Sequence, residues 1–287
     1  MASDSFFNDK TIALIDPSDK NINDKTWSFW ETEPSQWNNL TSKTWSHASV
    51  LTSKKTINLD LSPYSYKTIR SIEFYEHSKA ILNEHEHFKF IKEYVETVSE
   101  KDNIKVKTNL NEYTASHIFD SRIPKDFYNN LQNYISIKQH FKGWIIKTKN
   151  AHFNPENLTM MDYRLKDGNQ TTFTYVLPFS KTEALIEFTY FTSEIVNEAT
   201  YDRFIKTYIK DYLKIDDYSI VETEMGQIPM TNFSFDKFNT ENITKIGTGG
   251  GWVKGSSGYS FKHTEKKVAK IIKNLKENKL PSKDLFK

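Results

Sequence analysis

Ile246-Gly-Thr-Gly-Gly-Gly-Trp-Val-Lys-Gly-Ser-Ser-Gly-Tyr-Ser-Phe261 holds six of the nine glycines in the chain and runs straight into a segment of helical spacing. Glycine has no Cβ, reaches positive φ at little cost, and leaves its N–H open to a phosphate or to the edge of a ring. A helix start just beyond adds four unpaired N–H donors and the positive end of a dipole. The stretch therefore predicts a cofactor-binding loop. A flexible linker can match the glycine content, but it would not carry Trp252 and Tyr259 or lead into an amphipathic helix.

Toward the C-terminus, Val268, Ile271, Ile272 and Leu275 share one side of a helix predicted over 257–278. Its lysines face away as a solvated surface, and Pro281 stops it. Toward the N-terminus, Phe204, Ile205, Tyr208, Ile209, Tyr212 and Leu213 give 201–213 the same spacing. Strands are predicted at 142–148, 172–177, 184–192 and 218–224. Two or three more fall within 89–111 around a turn at 100–103, and others within 43–72, where polar and apolar residues alternate. A strand over 115–119 delivers Asp120 and Arg122 to a loop that borders the cofactor site or forms a surface ion pair. Thr11-Ile-Ala-Leu-Ile15 reads as a buried strand of a parallel sheet with Asp16 at its tip. In nucleotide-binding βαβ units an acid there commonly holds a ribose hydroxyl, whereas elsewhere it merely starts a turn. No glycine precedes Gly143, so the Gly-rich phosphate turn that normally accompanies such a strand is missing.

This order predicts a mixed α/β fold. A Rossmann-like nucleotide-binding domain over 1–30, 100–135 and 240–287 is interleaved with a sheet-rich substrate domain over 31–99 and 136–239.

Composition removes whole classes of function. Cysteine is absent, which excludes disulfides, thiolate nucleophiles, iron–sulfur clusters and cysteine–zinc sites. A net charge of +2 gives no support for nucleic-acid binding. No run approaches the roughly eighteen apolar residues of a membrane span, and no charged start with an apolar core opens the chain. A cytoplasmic protein with at most a peripheral membrane role is expected. Aromatic residues are 14% of the 287, with 20 Phe, 15 Tyr and 6 Trp, enough to line a pocket as well as fill a core. Glu84-His-Glu-His87, read as a strand, would point two histidines the same way, but no third ligand stands at useful spacing and no metal is expected.

Five segments carry a resemblance: Asn23-Asp-Lys-Thr-Trp-Ser-Phe-Trp30; Gln139-His-Phe-Lys-Gly-Trp144; Met161-Asp-Tyr-Arg164; Thr174-Tyr-Val-Leu-Pro-Phe-Ser180 with Glu183-Ala-Leu-Ile-Glu-Phe-Thr189; and Glu224-Met-Gly-Gln-Ile-Pro-Met-Thr231 leading into the glycine loop. In this order they resemble the lycopene β-cyclase family of bacterial carotenoid biosynthesis across nearly the whole chain. The resemblance implies a flavoprotein of hydroxylase-type architecture. It would bind reduced FAD and, at the membrane surface, close the linear ends of lycopene into β-rings without net oxidation, an isomerase activity. A flavin-dependent oxidoreductase or hydroxylase of an apolar substrate, or a non-catalytic carotenoid or lipid binder, would use the same scaffold.

Carried over residue by residue, the resemblance makes Glu187 the essential acid. As residues alone, Glu187 reads first as a solvent-facing strand position, and the resemblance reverses that order. On a strand it shares a face with Leu185, Thr189 and Phe191, a setting that keeps a carboxyl protonated near neutrality. The family's second, adjacent acid is Phe188 here, so those two positions cannot act as a pair. Asp16, Lys25 (where the family has Arg), Gly247, Gly249, Gly250 and Gly251 are the expected FAD ligands, with Gly258 opening the helix. Trp27, Trp30, Tyr175 and Trp252 are the expected substrate contacts, offering aromatic faces to a cation. The family opens with a Gly-x-Gly-x-x-Gly turn and continues beyond the position of Lys287, so this chain is expected to be shortened at both ends.

Overall fold

The computed structural model describes residues 1–32, 35–100 and 104–285. The first part of the chain forms β1 (Ile12–Ile15), β2 (Thr26–Glu31), β3 (Lys43–Trp45), β4 (His47–Leu51), β5 (Thr56–Asp60) and β6 (Ser65–Arg70). Helix α1 (Ser71–Asn83) follows, then β7 (Phe88–Ile91), β8 (Val95–Ser99), β9 (Lys105–Thr108), β10 (Glu112–Thr114), β11 (Ile118–Asp120) and the short α2 (Lys125–Asn129). The long strands come next: β12 (Ser136–Lys147), β13 (Asn157–Asp162), β14 (Thr172–Pro178) and β15 (Glu183–Thr192). Helix α3 (Glu198–Thr207), β16 (Ser219–Thr231), β17 (Ile243–Lys245) and α4 (Phe261–Lys276) complete the chain. The fold is mixed α/β, as the element order predicts.

Its centre is a seven-stranded sheet in the order β16-β12-β15-β14-β13-β4-β5, antiparallel throughout except for β13 beside β4. Strands this rich in aromatic and β-branched residues bury both faces. On one face Trp144, Ile146, Phe188 and Tyr190 pack against Tyr201, Phe204, Ile205 and Ile209 of α3 and the π-helical turn that continues it. The Phe188 and Phe204 rings stack 4.6 Å apart and nearly parallel. The helix predicted over 201–213 is thus α3 with a π turn at Tyr208–Tyr212.

That turn is pinned by Met161-Asp-Tyr-Arg164, a segment of the family resemblance. Asp162 is fully buried at the end of β13, receives the Tyr208 hydroxyl at 2.7 Å and pairs with Arg164 at 2.5 Å. Tyr208→Phe strips one donor from a buried carboxylate and is expected to cost about 1–3 kcal/mol in denaturant unfolding. A loss under a few tenths would mean that Arg164 alone satisfies Asp162.

The opposite face is roofed by a three-stranded sheet, β2-β6-β3. Near its β3 end the layers close tightly, with Trp45 and Tyr66 packed on Leu158, Leu177 and Leu185 and the Trp45 indole donating to the Pro178 carbonyl at 3.2 Å. Near β2, α4 docks by its first residue: the Phe261 ring stacks 4.6 Å from that of Phe29. Between these two contacts the layers stay apart, and the pocket described below lies there.

Other expectations change. Helix α1 occupies the segment from Ser71, beyond the predicted strands; Glu73 in its first turn and the apolar pair Ile81 and Leu82 were the signal. Glu84-His-Glu-His87 is the turn after α1 and not a strand, and among the described residues no cluster of three or more possible ligands could hold a metal ion. β1 pairs with β7 in parallel, as predicted for that run, but Leu14 and Phe90 are 40% and 48% exposed. Among the described residues these two strands form a sheet of their own, so neither is buried on both faces. A second parallel pair joins β11 to β17. Hydrogen bonding crosses the expected domain boundaries, since β2 pairs with β6 and β8 with β9. The turn predicted at 100–103 falls largely on 101–103, outside the described residues. No helix among the described residues is long and apolar enough to cross a membrane.

Candidate active site

The pocket floor is one face of the central sheet, and cross-strand register decides what stands there. Residues directly opposite in a sheet share a face, and the face repeats every second residue. Gly143 on β12 is opposite Glu187 on one side and Glu224 on the other, and Glu187 is in turn opposite Tyr175. One row across four strands therefore reads Tyr175, Glu187, Gly143, Glu224. The next row, Phe173, Thr189, Phe141 and Gly226, adds the Phe141 ring and the Thr189 hydroxyl.

Gly143 makes the row possible. A Cβ there would stand 2.7 Å from Leu185 Cδ1 and 3.3 Å from both Glu187 Cβ and Glu224 Cγ. Without one, the two carboxyls lean over the glycine and meet: protonated Glu187 donates to Glu224. Each acid has one further donor, Thr189 Oγ1 to Glu187 Oε1 at 2.8 Å and Thr26 Oγ1 to Glu224 Oε2 at 2.6 Å. Among the described residues no lysine or arginine bonds either acid. Arg70, whose charge reaches Glu224, pairs with Glu222 at 2.5 Å.

The pocket above this row has a volume of about 130 Å³. Trp27, Phe141, Tyr66, Tyr175, Tyr259 and Phe261 wall it, and Leu177, Leu185 and Ile228 fill between them. Burial and the neighbouring Glu224 push the Glu187 carboxyl well above the usual range, so it stays protonated at neutrality. Burial pushes Glu224 up to about 7. The Tyr66 and Tyr175 phenols are likewise raised by burial and stay neutral.

Two of the four expected substrate contacts, Trp27 and Tyr175, line this pocket. The other two do not. Trp30 packs beside Tyr66 in the closed part of the interlayer core, and Trp252 is buried with Ile271 and Leu285 beneath α4. Trp30 lies three residues along β2 from Trp27 and so on the other side of that strand, while Trp252 belongs to the separate cluster under α4. Phe188, which replaces the family's second acid, points to the opposite face from Glu187 and packs in the α3 core, as alternation requires. The companion acid comes instead from β16. In the sequence Glu224 carries no signal that sets it apart, because Glu222 stands two residues earlier on the same face of β16.

The glycine stretch reaches the pocket at its far end. Ser257, Gly258, Tyr259 and Ser260 form part of the wall, and α4 begins at Phe261 and not at Ser257. Gly258 has φ +74°, and a Cβ on it would stand 2.2 Å from Gln139 Oε1, so only glycine lets the loop pass over the sheet here. The Ser257 hydroxyl is buried with no partner. Gly249 and Gly250 serve a different contact. Their Cα atoms press on the chain's own backbone, where a Cβ would stand 2.4 Å from the Arg122 carbonyl oxygen and 2.5 Å from that of Lys245. Beneath them Asp120 forms a buried ion pair with Lys245 at 3.0 Å and also holds Arg122. Gly247, with φ +57°, has open space above it. A second cavity of about 330 Å³ lies between Thr248, Gly251 and Val253 of this loop and the segment 229–236 after Ile228.

Asp16 stands at the tip of β1 as expected, with its carboxylate turned into its own loop, accepting from the Ser18 N–H at 2.8 Å and pairing with Lys20 at 3.4 Å. Lys25 is exposed and pairs with Asp24 at 3.3 Å.

Comparison with known proteins agrees with this architecture. The family described as lycopene cyclase protein matches residues 3–284. No curated protein sequence matches the chain. Among solved structures, a geranylgeranyl bacteriochlorophyll reductase-like protein from Thermoplasma acidophilum superposes with a TM-score of 0.64 at 11% identity, over 94% of this chain and 72% of that one. The flavin-dependent brominase Bmp2 gives 0.55 at 13% identity, over 85% and 65%. The halogenase PltM, solved with phloroglucinol and FAD, gives 0.53 at 11% identity, over 83% and 55%. At such identities the likeness is one of fold.

Proposed function

We propose, for a chain that belongs to the lycopene cyclase protein family, that it closes the linear ends of lycopene into β-rings by proton transfer from Glu187. The observation that carries this reading is the Glu187 carboxyl itself, buried and protonated, held by Thr189 and facing a pocket walled by aromatic rings.

The reaction needs a proton delivered to an unactivated double bond. Glu187 gives its proton to the terminal alkene and leaves a tertiary cation. The neighbouring double bond attacks that carbon, forms the ring bond and moves the charge to the far alkene carbon. Loss of the adjacent ring proton to the Glu187 carboxylate then closes the cycle, so the product is an isomer of the substrate. Water must be excluded, or it would capture the cation, and the apolar walls do this. The faces of Trp27 and Tyr175 each stabilise passing positive charge by about 0.5–2 kcal/mol.

The residues fit a flavin beside this pocket: the buried Ser257 hydroxyl has no partner of its own, Gly258 at positive φ brings the loop close over the sheet, and the space above Gly247 is open. Gly251 lines the adjoining cavity, with Asp16 and Lys25 as further candidate contacts. Reduced FAD bound there would supply an electron-rich ring that offsets the cation without being consumed. Lycopene partitions into lipid, so the membrane surface is the proposed source of substrate.

The test is product analysis in lycopene-accumulating cells expressing the gene that encodes this chain. β-Carotene or γ-carotene, formed without stoichiometric use of O₂ or reductant, is the expected result. A hydroxylated or reduced product would move the assignment to a flavin oxidoreductase, and unchanged lycopene beside folded protein would overturn the cyclase reading.

A further inference from the structure

Resting on the cyclase reading, we infer that Glu187 and Glu224 work as one acid–base unit, and that the proton held by Glu224 decides whether Glu187 can protonate the substrate. The geometry leads there. The carboxyls flank Gly143 in a single row, both line the pocket, and they bond to each other with only one hydroxyl donor apiece besides.

The groups around Glu224 can be followed element by element. β15 presents Glu187, β12 only the hydrogen of Gly143, and β2 the Thr26 hydroxyl. β16 itself adds Glu222, which β6 neutralises through Arg70. β14 and the glycine stretch add the neutral phenol of Tyr175, the phenol of Tyr259 and the hydroxyl of Ser257. Among the described residues nothing cationic bonds the pair, so its proton count governs its chemistry.

With two protons on the pair, transfer from Glu187 leaves a single negative charge, and the Glu224 O–H rotates to donate to it. With one proton, the same transfer would leave two adjacent carboxylates in a dry pocket, a far worse product. The doubly protonated pair is therefore the acid. The singly protonated pair it becomes is the base that recovers the ring proton. One proton leaves and one returns, with no change in oxidation state.

The direction of the pH effect follows. Glu224 is raised to about 7 from an ordinary 4.5, so it is protonated below neutrality and ionises as pH rises through that value. Cyclisation should be fastest in mild acid and fall roughly tenfold per pH unit above about 7. Glu224→Gln keeps an N–H donor for Glu187 but cannot ionise. The variant is expected to be slower than wild type at pH 6, within about tenfold, yet to lose the alkaline fall, so that its rates at pH 6 and 8.5 agree within about threefold.

The experiment is the rate of cyclised product against pH for both proteins with FAD and a reductant, paired with infrared difference titration of the carboxyl C=O band. A band that disappears near pH 7 in wild type and is missing in Glu224→Gln supports the shared pair independently of turnover. An alkaline fall that persists unchanged in Glu224→Gln overturns the inference, as does total loss of activity at every pH in a folded variant. Absence of product from wild type at all pH values, with the band titrating as expected, would instead remove the cyclase reading and leave the proton pair standing.

Discussion

Glu187→Gln abolishes cyclisation, with a loss on the order of 10²–10⁴-fold or beyond detection, because no other group in the pocket can place a proton on the substrate from the same position. Glutamine has nearly the same shape, and the Thr189 hydroxyl can still donate to its carbonyl oxygen. The loss therefore tests chemistry and not folding. Stability should move the other way. Burial and Glu224 raise the folded-state Glu187 carboxyl far above its unfolded value. The folded state thus binds the extra proton more tightly, so this group's contribution is fullest below the unfolded value near 4.5 and is lost as pH rises from there. An uncharged amide escapes that loss, and the variant should melt at or above the wild-type temperature at pH 8. Product analysis and thermal melts at pH 5 and 8 read both effects. Activity within a few-fold of wild type would remove Glu187 from the role of acid.

Gly143→Ala is the second large expected effect, and it acts on geometry alone. The added methyl enters the space where the two carboxyls meet, 3.3 Å from a carbon of each and 2.7 Å from the tip of Leu185. Leu185 can swing its terminal methyl aside, so the fold should survive at a cost of about 1–3 kcal/mol. The acids cannot both keep their place, because their own Cβ and Cγ atoms are the ones crowded. A displacement of this kind is expected to lower turnover on the order of 10²-fold while the protein remains folded. It should also weaken the coupling, drawing the carboxyl infrared band near pH 7 toward the ordinary carboxylate range. If Gly143→Ala kept full activity and an unchanged titration, the two acids would not depend on meeting over this position. Gly143→Val, which adds branches to the same site, should deepen both effects and provides a graded comparison.

Much of this arrangement was legible along the chain. Strands with alternating or fully apolar residues were found near their observed positions, because the two-residue period of a pleated strand is written locally. Glu187 could be placed on the same face as Thr189 for that reason. α1 is not legible in the sequence, since its apolar residues form only a short, weak stripe and the helix there is settled by packing on β2 and β6. Trp30 and Trp252 read as substrate contacts because large aromatics suit both a pocket and a core. Only contact with Tyr66 in one case, and with Ile271 and Leu285 in the other, decides for the core. The glycine stretch reads in sequence as one ligand loop, yet Gly249 and Gly250 press on the chain's own carbonyls while Gly258 forms the pocket wall.

By itself, the sequence determined the family, the mixed α/β class and the glycine-rich turn before the last helix. These depend on neighbours in the chain, on periodicity, and on motifs whose residues are contiguous. Tertiary structure alone decided that Glu187 has a partner, that this partner is Glu224, and that Gly143 is the gap through which they meet. Those three residues lie on separate strands, and strand register is fixed by the burial of whole sheet faces at once, so no local stretch of sequence carries it.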